Sequence, residues 1–468
     1  MVFSSFAFIF CFLPLFFAVY LLSPKFLKNF ILFLASLVFY TYGVLESPWY
    51  VVLMFVSILV NYLLGKYLRK HSDKKQRKRC LAAGMIYNFG FLFVFKYLDF
   101  VLENMNFLLK FYNESIQLPL TELILPIGIS FYTFQITSYL IDVYREKIPA
   151  EESFVSLGAY ITMFPQLIAG PIVTYSEVQK ELKDRKCTLR GMEDGLKTFT
   201  IGLGSKVLLA NRIGGLWTQA AAIGYESIST PLAWMAILAF TLQIYFDFYG
   251  YSLMAIGLGK MLGFKFPKNF DCPYLSSSMT EFWRRWHMTL QRWFKEYVYI
   301  PLGGNRSHPY RNLWIVWILT GIWHGAGWNY VLWGLFNCTL IMVEKMGLSK
   351  VWKRWNFLGR LYTWFMILMS WSLFAITDIK NWLVFIKRLF PFLGSVEGAV
   401  FEGDYLKYLK QFGLIMAVGL LCCTRLPENI SKRKKKRILL SLFLVVIFWA
   451  CVYTMYLGLD DPFLYYQF

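Results

Sequence analysis

Four histidines occur in 468 residues, and two of them stand where an imidazole could do chemistry. His324 lies in Gly321-Ile322-Trp323-His324-Gly325-Ala326-Gly327-Trp328-Asn329, inside an apolar stretch running from about 312 to 343. Burial there disfavours the imidazolium, so the ring should be neutral and able to accept a proton. An ionisable group at membrane depth is by default a functional group. The glycines beside it allow two readings: a loosened helix that a substrate can approach, or tight packing of two helices around a structural histidine. His71 sits in a basic loop and His308 beside Pro309, which leaves His287 as the second candidate.

His287 falls in a polar, basic and aromatic segment, residues 264–306. Ser276, Ser277, Ser278 or Thr280 can cap a helix start there. At 100° per residue from Glu281 onward, Trp283, Trp286, Leu290 and Trp293 share an arc of about 80°. Glu281, Arg284, Arg285, Arg292 and Lys295 share another, with His287 at the border. The pattern predicts one amphipathic helix at the membrane interface. It reads either as an anchor, tryptophans at headgroups and arginines on lipid phosphates, or as a mouth where arginine forks receive an anionic donor. Asp247, with Gln243 and Tyr249, interrupts an apolar helix expected over 231–257. A carboxylate at that depth is costly unless it is paired with a neighbouring helix or faces a cavity.

These groups must be positioned by membrane helices. Hydrophobic residues make up 57% of the chain, aromatics 20% and charged residues 16%, against about 25% charged in an ordinary soluble domain. Such a chain cannot cover a soluble surface, and its continuous apolar runs lack the period-two alternation of a barrel strand. The fold class is all-α, a polytopic membrane protein with about eleven transmembrane helices. Lys and Arg number 48 against 28 Asp and Glu, a net charge of +20. The basic residues cluster between apolar runs, which points to cytoplasmic loops and not to nucleic acid. Eight scattered cysteines include no CxxC pair, so neither a zinc site nor a disulfide framework is expected.

The first apolar run, about 3–23, has no basic residue before Lys25 and no small-residue cleavage site, and reads as a retained helix. Residues 66–79 carry eight Lys or Arg and one Asp, and 432–437 read KRKKKR. Both loops are expected inside, which puts the N- and C-termini outside. Residues 154–175, broken by Pro165, Gly170 and Pro171 and flanked on both sides by basic residues, read as a re-entrant element lining protein or a wet cavity.

Taken together, several motifs resemble the membrane-bound O-acyltransferase (MBOAT) family, in the bacterial branch typified by the membrane subunit of alginate O-acetylation. They are Leu125-Pro126-Ile127-Gly128-Ile129-Ser130-Phe131-Tyr132-Thr133-Phe134-Gln135, Met163-Phe164-Pro165-Gln166-Leu167-Ile168-Ala169-Gly170-Pro171, Asp247-Phe248-Tyr249-Gly250-Tyr251-Ser252, Phe282-Trp283-Arg284-Arg285-Trp286-His287, Tyr299-Ile300-Pro301-Leu302-Gly303-Gly304-Asn305-Arg306 and Trp323-His324-Gly325. They stand in the family's order and imply one transmembrane domain over 1–468, with an extracytoplasmic tyrosine-bearing tail at 458–468.

The resemblance implies acyl transfer from a cytoplasmic thioester to a hydroxyl through a tunnel in a multi-pass protein of the bacterial cytoplasmic membrane. His324 matches the family's essential histidine and would take the hydroxyl proton; His287 matches a second one that lines the tunnel or positions the donor. Arg284, Arg285 and Arg306 would meet the donor's phosphates, and Asp247, Trp286, Trp323 and Asn329 would line the tunnel. No tightly bound cofactor is implied; the donor is acetyl-CoA or an acyl-carrier thioester. The ending Asp461-Pro462-Phe463-Leu464-Tyr465-Tyr466-Gln467-Phe468 resembles that of the branch. Tyr465 would carry the acyl group as a phenol ester to an extracytoplasmic SGNH-type acetyltransferase and its polysaccharide, or the tail is an aromatic anchor. D-alanyl transfer to teichoic acid keeps the fold and changes the cargo. A transporter would show several intramembrane charges and pseudo-symmetric halves, which the sequence lacks.

Overall fold

A computed structural model describes residues 2–113, 116–426 and 437–458. The described elements are helical. In chain order the α-helices are α1 (Leu13–Leu22), α2 (Lys28–Gly43), α3 (Trp49–Lys70), α4 (Lys74–Lys96), α5 (Leu98–Tyr112), α6 (Ile129–Tyr144), α7 (Phe154–Thr162), α8 (Phe164–Leu167), α9 (Tyr175–Lys183), α10 (Leu189–Gly204), α11 (Asn211–Ile223) and α12 (Thr230–Leu262). They continue with α13 (Met279–Arg285), α14 (Met288–Phe294), α15 (Pro309–His324), α16 (Trp328–Val343), α17 (Ser349–Arg354), α18 (Asn356–Ala375), α19 (Ile379–Leu389), α20 (Asp404–Cys422) and α21 (Arg437–Tyr456). Among the described residues, seven helices are long and apolar enough to cross a membrane, and an eighth span results if α4 and α5, bent by 59° at Tyr97, are one. The sequence leads one to expect about eleven. The difference lies in apolar runs that fold into shorter pieces: Ala7–Leu22, α6 and α15 have 16 residues each or fewer per helix, below the ~20 that a bilayer asks of an upright helix.

The chain packs as two compact units. The first comprises the residues up to Leu196 together with Ala255–Pro267. Its helices are joined by buried polar pairs, as expected where apolar side chains alone give little specificity. Asn61 and Asn88 exchange amide hydrogen bonds at 3.0 and 2.8 Å across α3 and α4. The segment 154–175 is broken as its prolines and glycine predict. Its backbone is served from within: Phe164 N donates to Ser36 Oγ, Gln166 Nε2 to the Tyr160 carbonyl, and the Tyr160 hydroxyl to the Val173 carbonyl. Gly170 takes φ +112°, where a side chain would be strained. Arg185, one of the basic residues that follow this segment, is buried: it donates to the Tyr20 hydroxyl and Asn29 and lies 4.7 Å over the Phe264 ring.

The second unit comprises Lys197–Met254 and the described residues from Lys268 onward. Its core is aromatic. Trp283, Trp286, Trp317, Trp333, Trp371 and Phe374 are all buried, with ring centroids 4.9–6.2 Å apart at Trp286–Trp371, Trp283–Trp317, Trp283–Trp333 and Trp333–Trp371. Asn337 pins three helices here, accepting from Trp283 Nε1 on α13 at 3.1 Å and donating to Ser370 Oγ on α18 at 3.0 Å.

Candidate active site

The segment expected to be one interfacial helix is two. Helix α13 begins where its free N–H groups find acceptors: Ser278 Oγ accepts from Glu281 N, and the buried Glu344 carboxylate accepts from Met279 N, Thr280 N and Thr280 Oγ1 at 2.6–2.8 Å. A carboxylate at a helix N-terminus is favoured by both hydrogen bonding and the dipole. Helix α13 ends at Arg285. Trp286 is extended and His287 takes the left-handed conformation, φ +44°, a costly backbone for a residue with a Cβ and one that clusters at functional sites. Helix α14 then starts afresh. The tryptophan stripe faces protein, not lipid: Trp283, Trp286 and Trp293 are each at most 5% exposed. Periodicity locates an apolar stripe but does not say what covers it, and here rings from α12, α15, α16 and α18 do.

The break is held by residues before α13. Asp271 N donates to the Arg285 carbonyl and Met288 N to the Asn269 carbonyl. The Asn269 side chain lies beneath His287, its Oδ1 3.1 Å from His287 Nδ1 and 2.9 Å from Thr289 Oγ1, and its Nδ2 donates to Ser252 Oγ on α12 at 3.0 Å. Phe248 meets the His287 ring edge-on at 4.6 Å and Trp323 lies at 6.1 Å. His287 stands outside the spans and is 1% exposed. Burial, and then the nearby His324, hold its imidazolium well below the usual histidine range.

His324 is the last residue of α15 and is buried. Trp323, Trp333 and Phe374 surround its ring at centroid distances of 5.0, 5.1 and 5.3 Å. The two readings of the glycines separate here in favour of packing. A Cβ on Gly321 would stand 2.3 Å from the Tyr330 carbonyl oxygen, one on Gly325 2.1 Å from the Tyr330 ring, and one on Gly334 2.5 Å from the Trp317 carbonyl oxygen. These glycines let α15 and α16 close into a hairpin that sets the His324 and Trp333 rings 5.1 Å apart. Asn329, at the start of α16, donates to the Phe374 carbonyl at 3.4 Å and so ties the hairpin to α18.

His287, Trp286, Trp323, His324 and Asn329 are thus gathered in one unit. Asp247 forms an ion pair with Lys206 Nζ at 2.8 Å, both side chains 2% exposed. Lys206 sits in a π-helical turn, Ser205–Ala210, and its Nζ also donates to Asn211 Oδ1. The structure therefore gives the paired alternative for Asp247 rather than an open cavity. Arg284 and Arg306 are exposed, and Arg285 is held by Glu281 at 2.6 Å. Tyr465 lies outside the described residues. Among the described residues no three His, Cys, Asp or Glu side chains gather to hold a metal. Sequence reasoning missed Lys206, Asn269, Trp333 and Phe374. Only Lys206 left a signal, a lone lysine at the head of the apolar run 207–210 that matches the need of Asp247 for a cation.

The model of the membrane-bound O-acyltransferase family matches residues 10–383. The chain belongs to this family. It is 37% identical over 386 residues to the probable alginate O-acetylase AlgI of Pseudomonas aeruginosa, covering 81% of this chain and 73% of that one. It is 36% identical over 432 residues to the peptidoglycan O-acetyltransferase of Helicobacter pylori, covering 83% and 80%. A teichoic acid D-alanyltransferase of Streptococcus thermophilus is 28% identical over 240 residues, covering 48% and 58%. The protein is a multi-pass membrane acyltransferase, and the matched span holds both histidines, Asn269 and the Lys206–Asp247 pair.

Proposed function

We infer that this acyltransferase moves acetyl groups from a thioester donor, acetyl-CoA or an acyl-carrier thioester, toward O-acetylation of a cell-envelope or exported polysaccharide, from the bacterial cytoplasmic membrane with both termini extracytoplasmic. Relatives named as O-acetylating enzymes at 36–37% identity over four fifths of the chain support the acetyl cargo. The observation that carries the site is that the Trp323 ring lies 6.1 Å from the buried His287 ring and 5.0 Å from the buried His324 ring. Two neutral imidazoles can divide the work of acyl transfer. One takes the proton of the attacking hydroxyl as its oxygen bonds to the thioester carbonyl carbon. The N–H of the other supports the carbonyl oxygen as charge develops. The carbon–sulfur bond then breaks, and the thiolate leaves with the proton that the first imidazole took.

Tyr465 is the proposed relay: its phenol oxygen receives the acetyl group, and an SGNH-type partner outside passes it to the polysaccharide. The test is acetate released by mild base from envelope glycans of cells expressing equal amounts of each protein. His324→Ala should lower ester-linked acetate by about 10²-fold or more, the scale of a lost transition-state hydrogen bond or base. Tyr465→Phe should do the same, and intact acetate in it would end the relay. Loss of D-alanine esters with acetate unchanged would transfer the assignment to D-alanyl cargo. No change in either ester would overturn the reading of the site.

A further inference from the structure

The corner where α2 gives way to α3 holds two cavities that acyl transfer does not use. Both helices are long and apolar enough to span, and the corner lies at the end of α3 opposite the basic loop 66–79. It therefore sits at the level of lipid headgroups. A cavity of about 380 Å³ opens here, lined by Tyr42, Leu45, Glu46, Tyr50, Leu125 and Ile127 among others. Its walls are tied together. The Tyr50 hydroxyl donates to the Ile124 carbonyl, and Val44 N closes the end of α2 on the Tyr40 and Thr41 carbonyls. Gly128, at φ +76°, lets the far wall approach the re-entrant segment: a Cβ there would stand 2.4 Å from the Leu167 carbonyl oxygen. A second cavity, of about 340 Å³, runs between α3 and α4 and is lined by Trp49, Val52, Leu53, Val56, Tyr87 and Phe91. Its α3 wall is open to the bilayer, with Val52 64% and Val56 42% exposed. From Trp49 to Val56 it follows the helix axis inward for about 10 Å. Trp49 lines one cavity and Tyr50 the other, and their ring centroids are 4.2 Å apart, so a single ring pair divides them.

We propose that the two cavities form one site for a phospholipid with a primary ammonium headgroup, such as phosphatidylethanolamine. The ammonium meets Glu46 beside Tyr42 and Tyr50, and one acyl chain lies in the α3–α4 groove past Trp49. Charge selects the headgroup. Among the described residues that line either cavity, Glu46 is the one charged side chain, and no lysine or arginine lines them. A carboxylate beside tyrosine rings attracts an ammonium and repels a headgroup of net negative charge. Depth selects a lipid over a soluble amine. The polar cavity stands at the headgroup level and the apolar groove runs from it into the hydrocarbon, which is the order of groups along a phospholipid. Both volumes lie in the range of sites that hold small molecules. The wall that carries Leu125 and Ile127 continues into Gly128, so the bound lipid staples the α2–α3 corner to the segment that meets the re-entrant element. Neither cavity contains a residue of the acyl-transfer site, and the lipid site stands or falls independently of it.

The headgroup is tested on delipidated full-length protein in a non-ionic detergent. It is titrated with phosphatidylethanolamine or phosphatidylglycerol of the same acyl chains, and bound lipid is read by native mass spectrometry. Wild type should bind the first roughly five- to tenfold more tightly, the scale of an exposed ion pair joined by a cation–π contact. Glu46→Gln changes an exposed side chain and leaves the packing in place. It should bring the two lipids within about twofold of each other. Equal binding by wild type, or a preference that survives Glu46→Gln, would mean ordinary boundary lipid and overturn the proposal. Soluble phosphoethanolamine separates the lipid from its free headgroup. It should fail to displace phosphatidylethanolamine at equal concentration, and displacement would show that the groove contributes nothing. The groove has its own test, a phosphatidylethanolamine with a photoreactive diazirine on its acyl chain. Crosslinks should fall within residues 49–56 or 87–91 and disappear in Val52→Trp, which fills the groove from an exposed position. Crosslinks confined to other helices would place the lipid on another face and overturn the site.

Discussion

His287 is gripped by hydrogen bonds, whereas His324 is walled by rings. The first hangs from a ledge in which Asn269, Thr289 and Ser252 answer one another. The second ends a helix among Trp323, Trp333 and Phe374. The hydrogen bond to Asn269 bears on which nitrogen of His287 holds the hydrogen, and the rings around His324 fix where that ring can sit. Two imidazoles with the same intrinsic chemistry are thereby made unlike. Pushing the environments of two titratable groups apart is how one site comes to hold both an acid and a base.

The ledge depends on α12, and α12 is tied down by a buried charge pair. Breaking it should have the largest effect on the fold. Lys206→Ala leaves the Asp247 carboxylate buried without its 2.8 Å partner, at a cost of roughly 3–5 kcal/mol. The expected outcome is a fall in the thermal midpoint in micelles and in the yield of folded protein. Replacing both partners with apolar residues, Lys206→Met with Asp247→Leu, should recover most of that loss. If the double variant kept acetylating, the pair would be structural and the ledge independent of its charge. A single variant as stable as wild type would contradict the paired geometry.

The box around His324 offers the next test. Trp333 is fully buried and meets Trp283, Trp317 and His324 at centroid distances of 5.4, 6.0 and 5.1 Å. Truncation to alanine should cost about 3 kcal/mol, the low end for a buried tryptophan, because neighbouring rings can lean into the space. What sharpens the comparison is the second readout. The nitrogen-15 pattern of His324 should become an average of two tautomers as its ring gains room, while that of His287 should not move. A change at His287 of equal size would show that ledge and box are one device.

Much of this arrangement was legible before any coordinates, and the rest was hidden for identifiable reasons. The spans α2, α3 and α12 follow apolar runs, because in a bilayer a backbone must satisfy itself locally. The need of Asp247 for a partner was visible in the same way. The partner left only the hint of a lone lysine, since which lysine meets residue 247 is a property of helix packing. The break at Trp286–His287 left no local mark at all. It needs Asn269 eighteen residues earlier and Glu344 sixty-five residues beyond Met279, neither of which a 100° projection contains. The same projection left open whether Trp283 and Trp286 meet headgroups, because it cannot distinguish a stripe covered by lipid from one covered by Trp371 and Trp317.

The smallest expected effect asks how deep the ledge must be. Ser252 Oγ accepts from Asn269 Nδ2 at 3.0 Å, and both residues are 1% exposed. Ser252→Ala removes that acceptor and should cost about 1 kcal/mol, the net worth of one neutral buried hydrogen bond. It should not free the amide to turn, because the Thr289 N–H still demands an oxygen on the other side. Stability therefore falls slightly, ester-linked acetate drops less than about tenfold, and the His287 proton stays on Nδ1. If instead Ser252→Ala moved that proton to Nε2, the orientation of Asn269 would be set from α12 and not from α14. The ledge would then be a relay running from the spanning helix to the histidine.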